Sequence, residues 1–308
     1  MLLLVIGIAA AALLGFVGRW HWYADLFAHL RPQYSIGLAL TLILALVLRQ
    51  RLAAGIALGA FLINAAALAP HARSWATSPL PASEARSWTF ASINLLGGNR
   101  EPERVVRYLR ETQPDIVVFQ EVTKRLAHEL EALRDVYPHR YVYPATDQWG
   151  MALFSREPPT EQFIRTVGNR PADIALFARW SSSQRHFSLA AVHPDKPDEG
   201  WKTVNRAQYL DNLAQWVGEV HQRGDAIIVL GDFNATPWSY SMQKFVEQTG
   251  LRNANDGRIY GASWNVWQPQ RLLIDHALFS EEWRLERCTI GLHLGSDHRP
   301  LFVRAALD

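Results

Sequence analysis

The first seventy residues constrain this chain most, because two stretches in them carry no charged side chain over nearly the length of a membrane-spanning helix. Met1 to Gly18 is uncharged apart from the amino terminus, and Leu52 to Pro70 has Asn64 as its only polar side chain. Each approaches the roughly 20 residues an α-helix needs to cross hydrocarbon. Between them Tyr34 to Leu48 is apolar but short, so spanning there calls for bilayer thinning or for snorkelling by Arg49 and Arg51. The sequence therefore predicts a transmembrane region over residues 1–70, with about three helices at 1–18, 34–48 and 52–70. A cleavable signal peptide is the alternative for the first run, but no Lys or Arg precedes it and no small-x-small site follows. A soluble helical hairpin is the alternative for the other two, and their Ala, Leu and Ile content without an amphipathic stripe opposes it.

Charge divides at the same place. Residues 1–80 hold five arginines (Arg19, Arg31, Arg49, Arg51, Arg73) and one acid, Asp25, leaving 26 basic and 28 acidic residues for the remainder. A slightly acidic remainder offers no obvious basic stripe for duplex nucleic acid. The turn Arg49-Gln50-Arg51 has the clearest positive bias, which predicts a cytoplasmic turn and, with three spans, a chain that emerges outside after Pro70. Trp20, Trp22 and Tyr23 in the preceding loop suit a membrane interface. The single cysteine, Cys288, excludes an intramolecular disulfide and a cysteine-rich metal site.

Residues 71–85 read as a linker, rich in Pro, Ser and Ala, and a second domain follows over 86–308. Strand patterns recur at 88–94, 115–120, 151–154, 174–180, 187–193, 226–230, 272–279 and 301–303. Helical periodicity marks 102–109, 125–133 and 204–217, and Ser239 is a plausible cap for a helix over 241–248. Polar residues stand at the ends of otherwise apolar strands: Asn94 after Ser-Ile, Gln120-Glu121 after Ile-Val-Val-Phe, His193 after Leu-Ala-Ala-Val, and Gly231-Asp232-Phe233-Asn234 after Ile-Ile-Val-Leu. Such ends are where α/β-type folds gather sites.

With these residues in this order, the sequence resembles the endonuclease/exonuclease/phosphatase superfamily over about residues 87–306. The motifs are Ser92-Ile93-Asn94-Leu95, Gln120-Glu121, the run from Gly150 to Arg156, Val192-His193-Pro194, Gly231-Asp232-Phe233-Asn234-Ala235, Leu273-Ile274-Asp275-His276 and Ser296-Asp297-His298-Arg299-Pro300. The resemblance implies an α/β (α+β) four-layer sandwich of two mixed β-sheets flanked by helices, with the active site at one edge of the sheets. It implies Glu121, Asn94 and Asp297 as ligands of Mg²⁺ or Mn²⁺, which favour oxygen donors and keep several waters. Asp232 is the expected group that orients or deprotonates the attacking water, with Asn234 and His193 donating to the phosphate. His298 is expected to pair with Asp275, which favours its imidazolium form. Whether Asp232 or His298 is the base stays open at this point.

Arg206 reads as a solvated helical arginine sooner than a phosphate ligand, and His276 as structural. Trp238, Trp264 and Trp267 sit in loops near the site. Leu96 departs from the abasic-site endonucleases, which carry an acid there, and this puts a second metal site and the DNA-repair branch in doubt. The resemblance extends to membrane-anchored bacterial members, which implies a multi-pass cell-membrane protein with its hydrolase domain on the periplasmic or extracellular side. The expected function is a phosphoesterase acting at the bilayer on a lipid-linked phosphate or phospholipid. A tethered or exported nuclease, with nucleic acid as substrate, is the second reading, and a catalytically inactive interaction module the third.

Overall fold

The computed structural model describes residues 1–75, 86–182, 185–268 and 271–307. Its first part is helical: α1 (Leu2–Leu14), extended by a 3-10 turn over Gly15–Val17, then α2 (Trp22–Ala28), α3 (Arg31–Val47) and α4 (Arg51–Leu68), which runs into a 3-10 turn over Ala69–Ala72. Helices α1, α3 and α4 pack through small side chains, with Val5, Ala45, Ala53, Ala54 and Ala57 at one end and Ala9, Ala12, Leu38 and Ala60 towards the other. Large apolar side chains point outward instead, Leu3 being 85% and Val47 72% exposed, with Leu40, Ile43, Leu46 and Leu52 among the others. Alanine at the contacts lets the helix backbones approach closely, with leucine and isoleucine left outside.

The sequence predicts about three spans, at 1–18, 34–48 and 52–70, the middle one short. Among the described residues, only Arg51–Ala72 is long and apolar enough to cross a bilayer alone; α2 and α3 together pass as a pair bent by 60°, and Leu2–Val17 is shorter. Helix α3 starts at Arg31, not Tyr34, with Pro32 in its first turn, where a missing N–H costs nothing. The predicted 19–33 loop contains α2.

The remainder is a two-sheet sandwich: β1 (Ser87–Asn94), α5 (Pro102–Thr112), β2 (Ile116–Gln120), α6 (Lys124–Glu129), β3 (His139–Tyr143), β4 (Met151–Ser155), β5 (Glu161–Thr166), β6 (Ile174–Ser181), β7 (His186–Val192), α7 (Gly200–Gln222), β8 (Ala226–Asp232), α8 (Tyr240–Thr249), β9 (Arg252–Asn253), β10 (Asp275–Phe279), β11 (Trp283–Ile290) and β12 (Leu301–Leu307). One sheet runs β11-β12-β1-β2-β4-β3 and the other β5-β6-β7-β8-β10-β9. Both are mixed, because β1 and β2 pair in parallel, as do β7 and β8, amid antiparallel neighbours. The predicted 272–279 strand begins only at Asp275, and the sequence pattern gives no sign of β3, β5, β9 and β11. Ser239 does stand at the start of α8, but its hydroxyl donates to the Thr236 carbonyl instead of capping the helix.

Strand side chains alternate between faces, and this parity builds both core and site. Trp88 and Phe90 of β1, Phe187, Leu189 and Ala191 of β7, Ile228 and Leu230 of β8, and Ala277 and Phe279 of β10 fill the space between the sheets. The opposite faces pack under helices, α7 and α8 covering one sheet and α5 and α6 the other. Continuing the inward parity by one or two steps reaches Asn94 on β1, His193 just past β7, Asp232 on β8 and Asp275 on β10. The inter-sheet core thus ends in polar residues along a single edge.

Phe187 is the hub of that core, with ring centroids 4.8 Å from Trp88, 5.2 Å from Trp180 and 5.4 Å from Trp283. Phe187→Ala should destabilise the protein by about 3–5 kcal/mol through lost burial and the cavity left behind. In a thermal melt this reads as a fall in Tm of about 10 °C.

Candidate active site

Parity brings the groups to the edge, and three strained turns aim them. Leu96, Glu121 and Asn234 follow β1, β2 and β8 with φ of 58°, 58° and 50°. Non-glycine residues rarely adopt this left-handed region, and such strain gathers at functional sites. Gly231 acts through its missing side chain. A Cβ there would lie 2.0 Å from the Val192 carbonyl oxygen, so the approach of β8 to β7 needs glycine.

The result is a pocket of about 100 Å³ whose walls include Glu121, His193, Asp232, Asn234, Asp297 and His298, with Gln148, Trp149, Lys196 and Trp264 completing them. Asn94 lies behind it, donating from Nδ2 to Glu121 Oε1 at 3.3 Å and to Asp232 Oδ2 at 3.1 Å. Its Oδ1 accepts the Leu96 N–H at 3.0 Å, so the oxygen that the sequence reading gives to a metal is turned away; a half-turn of the amide would exchange the two. Glu121 Oε2 accepts the Gly97 N–H at 3.0 Å. Asp297 Oδ2 accepts the Trp264 indole N–H at 2.8 Å.

On the second sheet, Asp275 faces Asp232 in register. Asp275 Oδ2 lies 2.9 Å from His298 Nδ1, and the other face of that ring presents Nε2 3.6 Å from Asp232 Oδ2. His193 Nε2 approaches the same Asp232 oxygen at 3.7 Å. The backbone N–H of Asn234 donates to Asp232 Oδ1 at 2.8 Å, while its side-chain amide donates to the Pro194 carbonyl at 3.0 Å. Burial pushes the Asp232 carboxyl up to about 6 against the pull of His298 and His193. Burial opposes charge on His298, but the Asp275 and Asp232 carboxylates outweigh it and raise the ring to about 10. The imidazole is therefore held as an imidazolium.

Asp232, Asp275 and His298 bring ligand atoms within 4.8 Å of one another, a spacing that could hold an ion. A protonated histidine is no ligand, since metal binding needs the neutral ring. The carboxylate of Glu121 fits a hard cation better. Among the described residues it has no cationic partner within 4.0 Å, and Asp297 has none either.

Arg206 corrects the sequence reading. It is 1% exposed, and its guanidinium donates to the Asn234 carbonyl at 2.9 Å while lying 3.8 Å from Asp25 of α2. Burial lowers its pKa to about 10, with Asp25 and Asp195 pulling the other way. Asp25 also accepts the Tyr240 N–H at 2.7 Å, supplying the acceptor that Ser239 does not give to the start of α8. His276 points away from the site, 2.7 Å from the Ala235 carbonyl, as its parity predicts. Trp238 packs inside, donating to the His29 carbonyl at 3.3 Å, and Trp267 is exposed.

The N-terminal helices thus dock directly on the sandwich. His29 Nδ1 lies 3.1 Å from Thr236 Oγ1, and Gln33 donates to the Arg271 carbonyl at 3.0 Å. Part of the predicted 71–85 linker is also engaged: His71 lies 3.3 Å from Asp256 and the Trp75 indole donates to the Asn253 carbonyl at 2.7 Å, while residues 76–85 lie outside the described residues. The sequence pattern also missed Trp149 and Lys196, which no motif marks.

Residues 91–298 match the model of the endonuclease/exonuclease/phosphatase family, a span that contains Asn94, Glu121, His193, Asp232, Asn234, Asp275, Asp297 and His298. The chain belongs to this family. Its members are metal-dependent hydrolases of phosphoester bonds, and the chain is an enzyme of that class. No curated protein matches it by sequence. Among solved structures it is similar to the human Nocturnin catalytic domain with bound sulfate anion, at 19% identity and TM-score 0.61 over 72% of this chain and 95% of that one. It is also similar to an endonuclease/exonuclease/phosphatase family protein of Bacteroides thetaiotaomicron (18%, TM-score 0.59, 73% and 100%) and to truncated Caenorhabditis elegans TDP2 (16%, TM-score 0.60, 72% and 98%). At these identities the likeness establishes the fold.

Arg206→Met should destabilise the enzyme by about 3–5 kcal/mol, because it strands the buried Asp25 carboxylate. The double variant Asp25→Leu with Arg206→Met should recover part of that loss. Thermal melts of the two single variants and the double check this, and strictly additive effects would show that the pair is not coupled.

Proposed function

We propose that the protein is a membrane-anchored phosphoesterase that uses Mg²⁺ or Mn²⁺ to hydrolyse a phosphoester or pyrophosphate at the bilayer surface, on a lipid-linked phosphate or a phospholipid. The observation that carries this reading is the docking of α2 and the start of α3 beside the catalytic pocket, on helices whose outer faces expose Leu3, Leu40, Ile43 and Val47. An enzyme fixed in this way works where lipid headgroups are concentrated, which favours a membrane substrate over a diffusing one.

In this reading Glu121 binds the cation, joined by Asp297 and by Asn94 after its amide turns. The cation supplies positive charge to the phosphoryl and leaving oxygens. Asp232 accepts the proton of the attacking water. Geometry favours it over His298, whose Nδ1 is committed to Asp275 and whose Nε2 faces an anion. His298, His193 and Asn234 then bind the phosphate oxygens, where charge grows in the transition state. The phosphorus–oxygen bond to the leaving group breaks, and solvent protonates the departing oxygen.

Met1 packs near Ala45 and Ala53 at the end of the bundle that also holds the Arg49 to Arg51 turn, whereas Gln33 at the other end touches the sandwich. A cytoplasmic arginine turn then puts the hydrolase domain on the outer face of the cell membrane. A periplasmic reporter fused to the C-terminus should be active; a reporter active only in the cytoplasm would reverse the topology.

Hydrolysis should vanish on chelation and fall by about 10² or more in each of Glu121→Gln, Asp232→Asn and His298→Ala. Wild-type rates in all three would place the chemistry elsewhere. Substrate class is tested by competition, with the intact protein in liposomes and Mg²⁺ offered a lipid pyrophosphate or phospholipid beside plasmid DNA. Release of phosphate or headgroup is the expected result, and plasmid nicking without it would make the enzyme a membrane-tethered nuclease.

A further inference from the structure

A second cavity, of about 360 Å³, opens beside the catalytic pocket. One wall is Leu26, His29 and Leu30 of the N-terminal segment, and the facing wall includes Pro197, Leu272 and Ile274 of the sandwich. It shares Lys196, Asn234 and Trp264 with the catalytic pocket, so the two spaces adjoin at the expected phosphate position. The walls are held in place: His29 is tied to Thr236, and Gln33 to the Arg271 carbonyl. Beyond Leu30 the surface continues along α3 as exposed Ile36, Leu40 and Ile43.

We infer that this cavity holds the first carbons of the substrate's lipid chain, threading it from the bilayer to the phosphate between α2 and the sandwich. The inference rests on the phosphoesterase reading above and adds to it the place where the chain lies. Three features select an aliphatic chain. The lining surface is mainly apolar, supplied by Leu26, Leu30, Pro197, Leu272 and Ile274, with Asn234, Gln268, Lys196 and Asp198 among the polar residues and, among the described residues, Trp264 the only aromatic side chain besides the engaged His29 ring. The cation Lys196 stands at the junction with the catalytic pocket, where a phosphate would follow the chain, and Asp198 at 3.4 Å leaves it partly neutralised. The size lies within the range of small-molecule sites, enough for a chain segment and too little for a folded partner. Each CH₂ buried there should tighten binding roughly fourfold.

The test uses the full chain held in an amphipathic polymer, since alkyl detergents would compete for the cavity. Cys288, the only cysteine, is buried and its thiol is pushed up to about 11, so an introduced cysteine reports alone. Leu26→Cys and, on the opposite wall, Leu272→Cys are labelled with a charged thiol reagent in the presence of Mg²⁺ and either dodecylphosphonate or methylphosphonate. Dodecylphosphonate should slow labelling of both at least fivefold and methylphosphonate should not. Unchanged labelling, or equal protection of Leu40→Cys on the outer face of α3, would overturn the inference. In parallel, Leu26→Trp should lower the ratio of kcat/KM for a dodecyl over a methyl phosphodiester about tenfold; an unchanged ratio would also overturn it. If the wild type hydrolyses neither these diesters nor the corresponding monoesters and pyrophosphates, the phosphoesterase reading fails, and labelling still decides what the cavity holds.

Discussion

The hydrogen bond from Asn94 to Asp232 joins the two sheets at the edge where their shared core gives out. Asn94 is the next inward-facing position after Phe90 and the buried Ser92 on β1, and Asp232 the next after Ile228 and Leu230 on β8. At 3.1 Å the contact satisfies two buried polar groups that would otherwise cost about 1–3 kcal/mol each. It also limits how the sheets slide past one another, and hence the separation of Glu121, which follows β2 on one, from Asp232 and His193 on the other. The core positions the chemistry because the same alternation supplies both.

The helical segment is part of this arrangement. Arg206 holds the Asn234 carbonyl, Asp25 holds Arg206 and the first N–H of α8, and His29 meets Thr236 two residues past Asn234. Asn234 and Thr236 both lie on the loop between β8 and α8, so one turn of backbone answers to the Asp232 carboxylate on one side and to the N-terminal helices on the other. A buried arginine with an unpartnered Nε is costly unless its charges are met. Here they are met by a residue far away in the sequence, which makes α2 a structural element of the hydrolase domain.

That distance explains what the sequence could and could not convey. The inner strands were legible because burial on both faces makes them apolar runs, as in Ile-Ile-Val-Leu of β8. The four strands missed, β3, β5, β9 and β11, are the four edges of the two sheets. Edges carry charge to prevent pairing with other chains, as Glu161 and Arg165 do in β5, and charge hides the strand pattern. Asn94, Glu121, His193 and Asp232 of the candidate site were legible because they stand at the ends of legible strands. Arg206 was not, since on helix α7 it has the spacing of any polar residue, and only the fold brings Asp25 against it. Lys196 and Trp149 lie in loops with no periodicity to mark them.

Charge at the pocket settles one further point of chemistry. Glu121, Asp232, Asp275 and Asp297 gather around one imidazolium, His298, with Lys196 at the rim. Asp275 is spent on His298, and the remaining carboxylates leave the pocket negative. A phosphate arriving there would be repelled, and the small effective dielectric of a buried site makes that repulsion stronger than in water. Asp232 relieves part of it by its raised pKa, but a base must be ionised to act. Among the described residues Glu121 and Asp297 have no cationic partner within 4.0 Å, so a divalent cation beside them is the simplest way to reverse the sign. The deficit of positive charge, more than any single ligand distance, is what ties this fold edge to metal-dependent phosphoester hydrolysis.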